Sequence, residues 1–254
     1  MGNDTQTDPG KIARHVQQSL PADGLFAGHQ WRVATRPFPL DKKTVKQLEK
    51  LGRVLLKFYQ ATNMIYRWSA EGRLPTWPAE WLDRGKPESI IDLQRHKAFR
   101  PDLPRVIRPD ILLTEDGLKI TELDSVPGGI GLTAWLNRTY AEAGAEVLGG
   151  ATGMLDGFSG IFGDAKKIRL IVSEESATYR PEMEWLAGQI APERMSVHGQ
   201  EFTGFTEGDA VYRFFELFDL PNIPAAGELF QRATDQTLTL TAPPKSFLEE
   251  KMTF

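Results

Sequence analysis

The chain has 254 residues, a net charge of −4, 41% hydrophobic and 25% charged residues, the balance of a folded protein with one large or two smaller domains. It has no cysteine, which excludes disulfides, thiolate zinc sites and cysteine nucleophiles, and no basic field of the kind that nucleic acid or an anionic membrane attracts. No apolar run approaches the roughly 20 residues that span a bilayer, and the polar start Met1 to Pro9 lacks a signal-peptide core, so a cytoplasmic protein without membrane or nucleic-acid partners is expected.

Residues 1–30 read as a loosely ordered start, followed by a short strand at Trp31 to Val33 that Pro37 and Pro39 break. Asp41 is a good N-cap, and Val45, Leu48, Leu51, Leu55, Phe58 and Thr62 follow helical spacing, so a long amphipathic helix is expected to about Trp68. Trp77, Trp81 and Phe99 read as packing for that layer. Residues 85–104 are polar and proline-punctuated. Beyond a hairpin at 106–124, Leu132 to Glu142 reads helical, and the glycine-rich stretch 144–163 carries Leu148, Met154, Leu155 and Phe158 as anchors. The almost continuous apolar run Ile168 to Val172 predicts a strand buried on both faces. A helix over Pro181 to Ile190, strands at Met195 to His198 and Ala210 to Phe215, and a helix near Ala226 to Ala233 complete a β–α–β order that implies a small open parallel sheet.

The hairpin carries the most chemistry. Arg108-Pro-Asp110 precedes Glu122-Leu-Asp124 by a dozen residues, with the turn signal Thr114-Glu115-Asp116-Gly117 between them. A three-residue loop of Glu115, Asp116 and Gly117 pairs Thr114 with Leu118, which sets Asp110 across from Glu122 and Arg108 across from Asp124, all on one face. A two-residue Asp116-Gly117 turn would instead throw Glu122 and Asp124 to the opposite face. Facing carboxylates repel, so a shared proton, Arg108 or a hard cation such as Mg²⁺ must offset them. The alternative is a surface hairpin with one ion pair and a solvated acid.

Other candidates are weaker. Val126-Pro127-Gly128-Gly129-Ile130-Gly131 precedes a helix and reads either as an anion-binding turn or as a tight strand–helix connection; it matches neither dinucleotide nor P-loop fingerprints. His15, His29, His96 and His198 are not spaced as zinc ligands. His96 with Arg95, Lys97 and Arg100 reads as a solvated basic face or a phosphate contact, and Ser173-Glu174-Glu175 as an exposed strand end or a site for a cationic substrate.

Arg108-Pro-Asp110, Glu122-Leu-Asp124 and the following Pro127-Gly128-Gly129 resemble the Arg-x-Asp … Glu-x-Asn-plus-proline-loop pattern of the glutathionylspermidine synthase-like, circularly permuted ATP-grasp proteins, and Val172 to Glu216 resembles their small α/β domain. The resemblance covers about residues 85–254. It implies a mixed α+β and α/β fold: a helical region at 1–84, a partial ATP-grasp-like antiparallel sheet with helices at 85–165, and a small open α/β (pre-ATP-grasp-like) domain at 166–254. The activity implied is an ATP-dependent carboxylate–amine ligase that uses Mg²⁺ and ATP and forms an acyl phosphate. Asp110, Glu122 and Asp124 would then ligate Mg²⁺, Arg108 would stabilise the transferring phosphoryl group, and Gly128, Gly129 and Lys251 would meet the nucleotide. Asp124 stands where the family has Asn. The family's adenine-binding lobe follows the small α/β domain, and here Lys251 would be its first residue. A front portion that is inactive alone is therefore expected, with a non-catalytic, ATP-grasp-derived interaction module as the alternative.

Overall fold

Asp41 begins the longest helix as its spacing requires: its carboxylate accepts the Thr44 N–H at 2.7 Å. The helix is preceded by α1 (Pro9–Gln18) and is itself α2 (Lys42–Ala70). In this computed structural model residues 9–21, 25 and 32–249 are described. Leu55, Tyr59, Asn63, Tyr66 and Ser69 form the buried stripe of α2, each three or four residues from the next. The N-terminal half of α2 has no fully buried residue before Leu55, so it projects beyond the core. Two short helices follow, α3 (Trp77–Asp83) and α4 (Glu88–Arg95). Strands β1 (Arg108–Thr114) and β2 (Gly117–Asp124) form an antiparallel hairpin that leads into α5 (Ile130–Glu142) and α6 (Gly153–Gly160).

The remainder alternates: β3 (Ile168–Val172), α7 (Arg180–Ile190), β4 (Met195–Gly199), β5 (Ala210–Phe214), α8 (Ala226–Thr234) and β6 (Thr239–Leu240). The four strands are parallel in the order β4-β3-β5-β6. Ile168, Leu170, Val172, Tyr212 and Phe214 pack one face against Phe158, Phe162, Met183 and Leu186, while Ile171, Val211 and Leu240 pack the other against Phe99, Phe205, Leu229 and Phe230. Alternation along each strand thus supplies two cores, and the strands are largely apolar because both faces are covered. A third core joins Leu55, Tyr59 and Tyr66 of α2 to Leu123 of the hairpin and to Phe247 and Leu248, and a fourth joins Ile12 and Val16 to Trp135 and Tyr140. The second and third cores cross the expected boundaries at 84/85 and 165/166, since Ile90 and Phe99 pack with β5 and Phe247 packs with α2.

The mixed fold with a small antiparallel sheet and a parallel sheet with helices agrees with expectation at that level. Several local expectations are corrected. A helix, α1, lies where the sequence suggests a loose start, and α4 lies inside the polar stretch 85–104. Trp31 falls outside the described residues, and 32–34 are not strand. Phe99 is buried, but Trp77 and Trp81 are 67% and 50% exposed: α3 turns Ala79 and Asp83 inward and its tryptophans outward, with the Arg84 guanidinium 5.1 Å over the Trp81 ring. No helix among the described residues is long and apolar enough to cross a membrane.

Candidate functional site

The hairpin reaches the expected pairing by a different route. Its turn has two central residues, Glu115 and Asp116, with Thr114 across from Gly117, and this register runs back to Ile111 opposite Ile120. Left alone, it would send Glu122 and Asp124 to the wrong face. Thr121 is an extra residue, a β-bulge that adds one position to β2, after which Asp110 faces Glu122 and Arg108 faces Asp124. The Thr121 hydroxyl donates to the Asp110 carbonyl at 3.3 Å. Gly117 accepts the turn because its φ is 109°, a value that side chains rarely tolerate. The neighbouring Leu123 is buried in the α2 core, which anchors the register.

Arg108 is the hub of this face. Its Nε donates to Asp110 Oδ1 at 3.0 Å, its Nη2 lies 3.3 Å from Asp124 Oδ2, and its Nη1 donates to the Gly128 carbonyl at 3.3 Å. Asp124 Oδ1 also accepts the Val126 N–H at 2.9 Å. Burial raises the Asp124 carboxyl above its ordinary value; Glu122 and Asp110 push the same way, while Val126 N–H and Arg108 oppose them. Glu122 and Asp124 line a cleft of about 830 Å³, within the range of roughly 300–1,000 Å³ typical of ligand sites.

The opposite wall of the cleft comes from the C-terminal end of β5. Glu216 and Glu249 line it together with Phe218 and Ser246. Arg213 on β5 is fully buried; its guanidinium donates to the carbonyls of Ala242, Phe215 and Pro243 and is paired with Glu249. Ser125 Oγ reaches Glu249 at 3.5 Å. Burial, and then the neighbouring Glu249, pushes the Glu216 carboxyl up to about 7. The hydroxyls of Tyr59 and Tyr212 are buried without a hydrogen-bond partner among the described residues. Beneath this wall the Lys245 ammonium donates to Asn63 Oδ1 and to the Asp102 carbonyl, and burial lowers it to about 8.

The glycine turn is committed to the protein itself. Gly129 takes φ 85° at the N-terminus of α5, and its N–H donates to Glu182 Oε1 at 2.8 Å. The buried Glu182 carboxylate therefore occupies the helix N-terminus that an anion would use. A Cβ at Gly128 would collide with the Tyr179 ring. A phosphate at Gly129 must displace Glu182.

Arg108, Asp110, Glu122 and Asp124 are brought together. Gly128 joins them through its carbonyl, which accepts from Arg108, and Lys251 lies outside the described residues. Among the described residues no three His, Asp or Glu side chains are set to hold a metal ion; on the hairpin, Arg108 pairs with both Asp110 and Asp124. Glu174 and Glu175 are exposed and do not line the cleft. The basic group near His96 resolves into ion pairs, Arg95 with Asp83 and Arg100 with Glu71. Sequence reasoning missed Arg213, Glu216, Glu249 and Lys245. A charge inside the apolar strand AVYRF and a carboxylate just past its C-terminal end were the available signals. Neither a family model nor a curated protein matches the chain.

Proposed function

We propose that the cleft is the metal-and-phosphate site of an ATP-dependent carboxylate–amine ligase of ATP-grasp type, and that this chain carries the front portion of such an enzyme. The observation that carries the reading is the bulge-restored register, which gathers Arg108, Asp110, Glu122 and Asp124 on one face, with Glu122 and Asp124 lining a cleft large enough for a nucleotide. Clustered carboxylates suit Mg²⁺, which prefers hard oxygen ligands, and Asp110, Glu122 and Asp124 are the residues that would hold it. Bound Mg²⁺ would supply positive charge against the nucleotide phosphates. Arg108 pairs with carboxylates through its Nε and Nη2, and the same fork geometry suits a phosphoryl group. In the reaction a substrate carboxylate attacks the γ-phosphorus and ADP leaves. An amine then attacks the acyl phosphate, releasing phosphate and forming the amide. Positioned charge carries most of such catalysis.

A second reading, a non-catalytic interaction module, is favoured by one fact: no metal-holding trio is set among the described residues. Titration with Mn²⁺ in the presence of ATP, followed by electron paramagnetic resonance, separates the two. The ligase reading expects saturable Mn·ATP binding that Glu122→Gln weakens by at least about tenfold, roughly 1.4 kcal/mol. Undiminished binding by that variant rejects the metal role, and no binding by the unmodified chain favours the module.

A further inference from the structure

A second cavity, of about 320 Å³, lies on the far side of α5 and shares no residue with the cleft. Its floor is apolar: Val16 and Trp135 are 1% and 3% exposed. Its outer wall is the segment 32–38, held onto α5 by the Tyr140 hydroxyl, which donates to the Ala34 carbonyl at 2.8 Å. Two exposed arginines of that wall, Arg32 and Arg36, line the cavity, as does Asn137 of α5. Among the described residues none of these three side chains has a hydrogen-bond or ion-pair partner, although most arginines around the molecule do. Two uncompensated guanidinium groups beside a buried indole form an amphipathic site. Neither guanidinium is neutralised by a carboxylate among the described residues, so an anion seated in the cavity would gain their charge.

We infer that this cavity binds a small amphipathic anion, an aryl or short-chain acyl group with a carboxylate or comparable acidic head. The apolar part rests on Val16 and Trp135, and the head is held by Arg32 and Arg36, whose planar forks suit two-pronged contacts. Asn137 supplies a further donor. The volume sits at the lower end of the range for ligand cavities, roughly 300–1,000 Å³, so a ring or short chain fits and a nucleotide does not.

Calorimetric titration with 4-phenylbutyrate tests the inference, with 4-phenylbutanol as the uncharged match. The expected result is one-to-one binding of the acid and at least tenfold weaker binding of the alcohol. The exposed pair Arg32→Gln/Arg36→Gln should lose affinity for the acid at least tenfold while keeping its circular dichroism and melting temperature. Arg138→Gln should bind as the unmodified chain does, since Arg138 turns instead to Gln189, at 2.6 Å. Glu122→Gln should also leave this binding unchanged, which separates it from the fate of the ligase reading. Equal binding of alcohol and acid, full affinity in the double variant, or no saturable binding of the acid at millimolar concentration would each overturn it.

Discussion

Arg108 on the hairpin and Arg213 on the parallel sheet both hold carboxylates of the same cleft, yet their surroundings differ. The Arg108 side chain is 42% exposed and that of Arg213 is 0% exposed. Arg108 pairs with side chains next to it in the hairpin, Asp110 and Asp124, and with the Gly128 carbonyl just after it, so its contacts are local and half-buried. Arg213 is surrounded by main-chain carbonyls from 215, 242 and 243 and by a carboxylate 36 residues away, so it ties the end of β5 to the chain's last described turn. An exposed charge can exchange its partners for a ligand at little cost. A buried one cannot, because each abandoned carbonyl would be left without a donor. The hairpin is therefore the wall that can respond to a ligand, and the sheet is the wall that stays fixed.

Alanine at each position tests this contrast most strongly. Arg213→Ala leaves three carbonyls and Glu249 buried and uncompensated, and the expected loss is about 3–5 kcal/mol in urea unfolding. Arg108→Ala removes half-exposed pairs and should cost about 1 kcal/mol or less. Similar losses in the two variants would erase the distinction between a fixed and an adaptable wall.

The next largest effect concerns placement within the hairpin. Deleting Thr121 removes the bulge and lets the two-residue turn dictate the register to the end of β2. Glu122 and Asp124 then point away from Arg108 and Asp110. Binding of Mn·ATP should fall at least about tenfold, or roughly 1.4 kcal/mol, whereas Thr121→Ala, which keeps the residue count, should retain it. A deletion variant that binds normally would show that the shared face is not what recognises the ligand.

The same two walls differ in how far they could be read in advance. The parallel sheet was legible because burial on both faces leaves a run such as Ile168 to Val172 apolar at every position but Arg169. The pairing of Asp110 with Glu122 was also legible, but for a reason that did not hold. A three-residue loop and a two-residue loop with a bulge give the same pairing at the base of the hairpin, and composition at the turn does not separate them. Helix α4 was hidden because it is eight residues long and packs through Ile90 and Gln94, too few positions for a period to emerge. Trp77 and Trp81 misled because a large apolar side chain implies burial only on average. Glu216 and Glu249 could not be joined from sequence: they meet only because β5 ends where the segment after β6 returns, with Arg213 between that segment and the strand.

The last expected effect is one of pH, read at Glu216 on the fixed wall. The Glu216 carboxyl has an ordinary value of 4.5 and is pushed up to about 7 in the folded chain by burial and by Glu249. Between those values the folded chain binds more protons than the unfolded one, so stability falls as pH rises. The contribution is fully present below pH 4.5 and is lost as pH passes about 7. Burial raises Asp124 and Glu182 in the same direction, so the slope has more than one source. Lys245, lowered to about 8 from 10.5, acts with the opposite sign toward and above pH 8, and His198, lowered from 6.5 by burial, opposes the slope within the window, so the comparison with a Glu216 variant is what isolates this group. Glu216→Gln keeps the shape of the side chain and removes its titration. Urea unfolding at pH 5 and pH 8 should show the unmodified chain losing stability across the interval and the variant losing less. Parallel curves for the two proteins would mean that Glu216 is solvated in solution, and the wall beneath the hairpin would then be as adaptable as the hairpin itself.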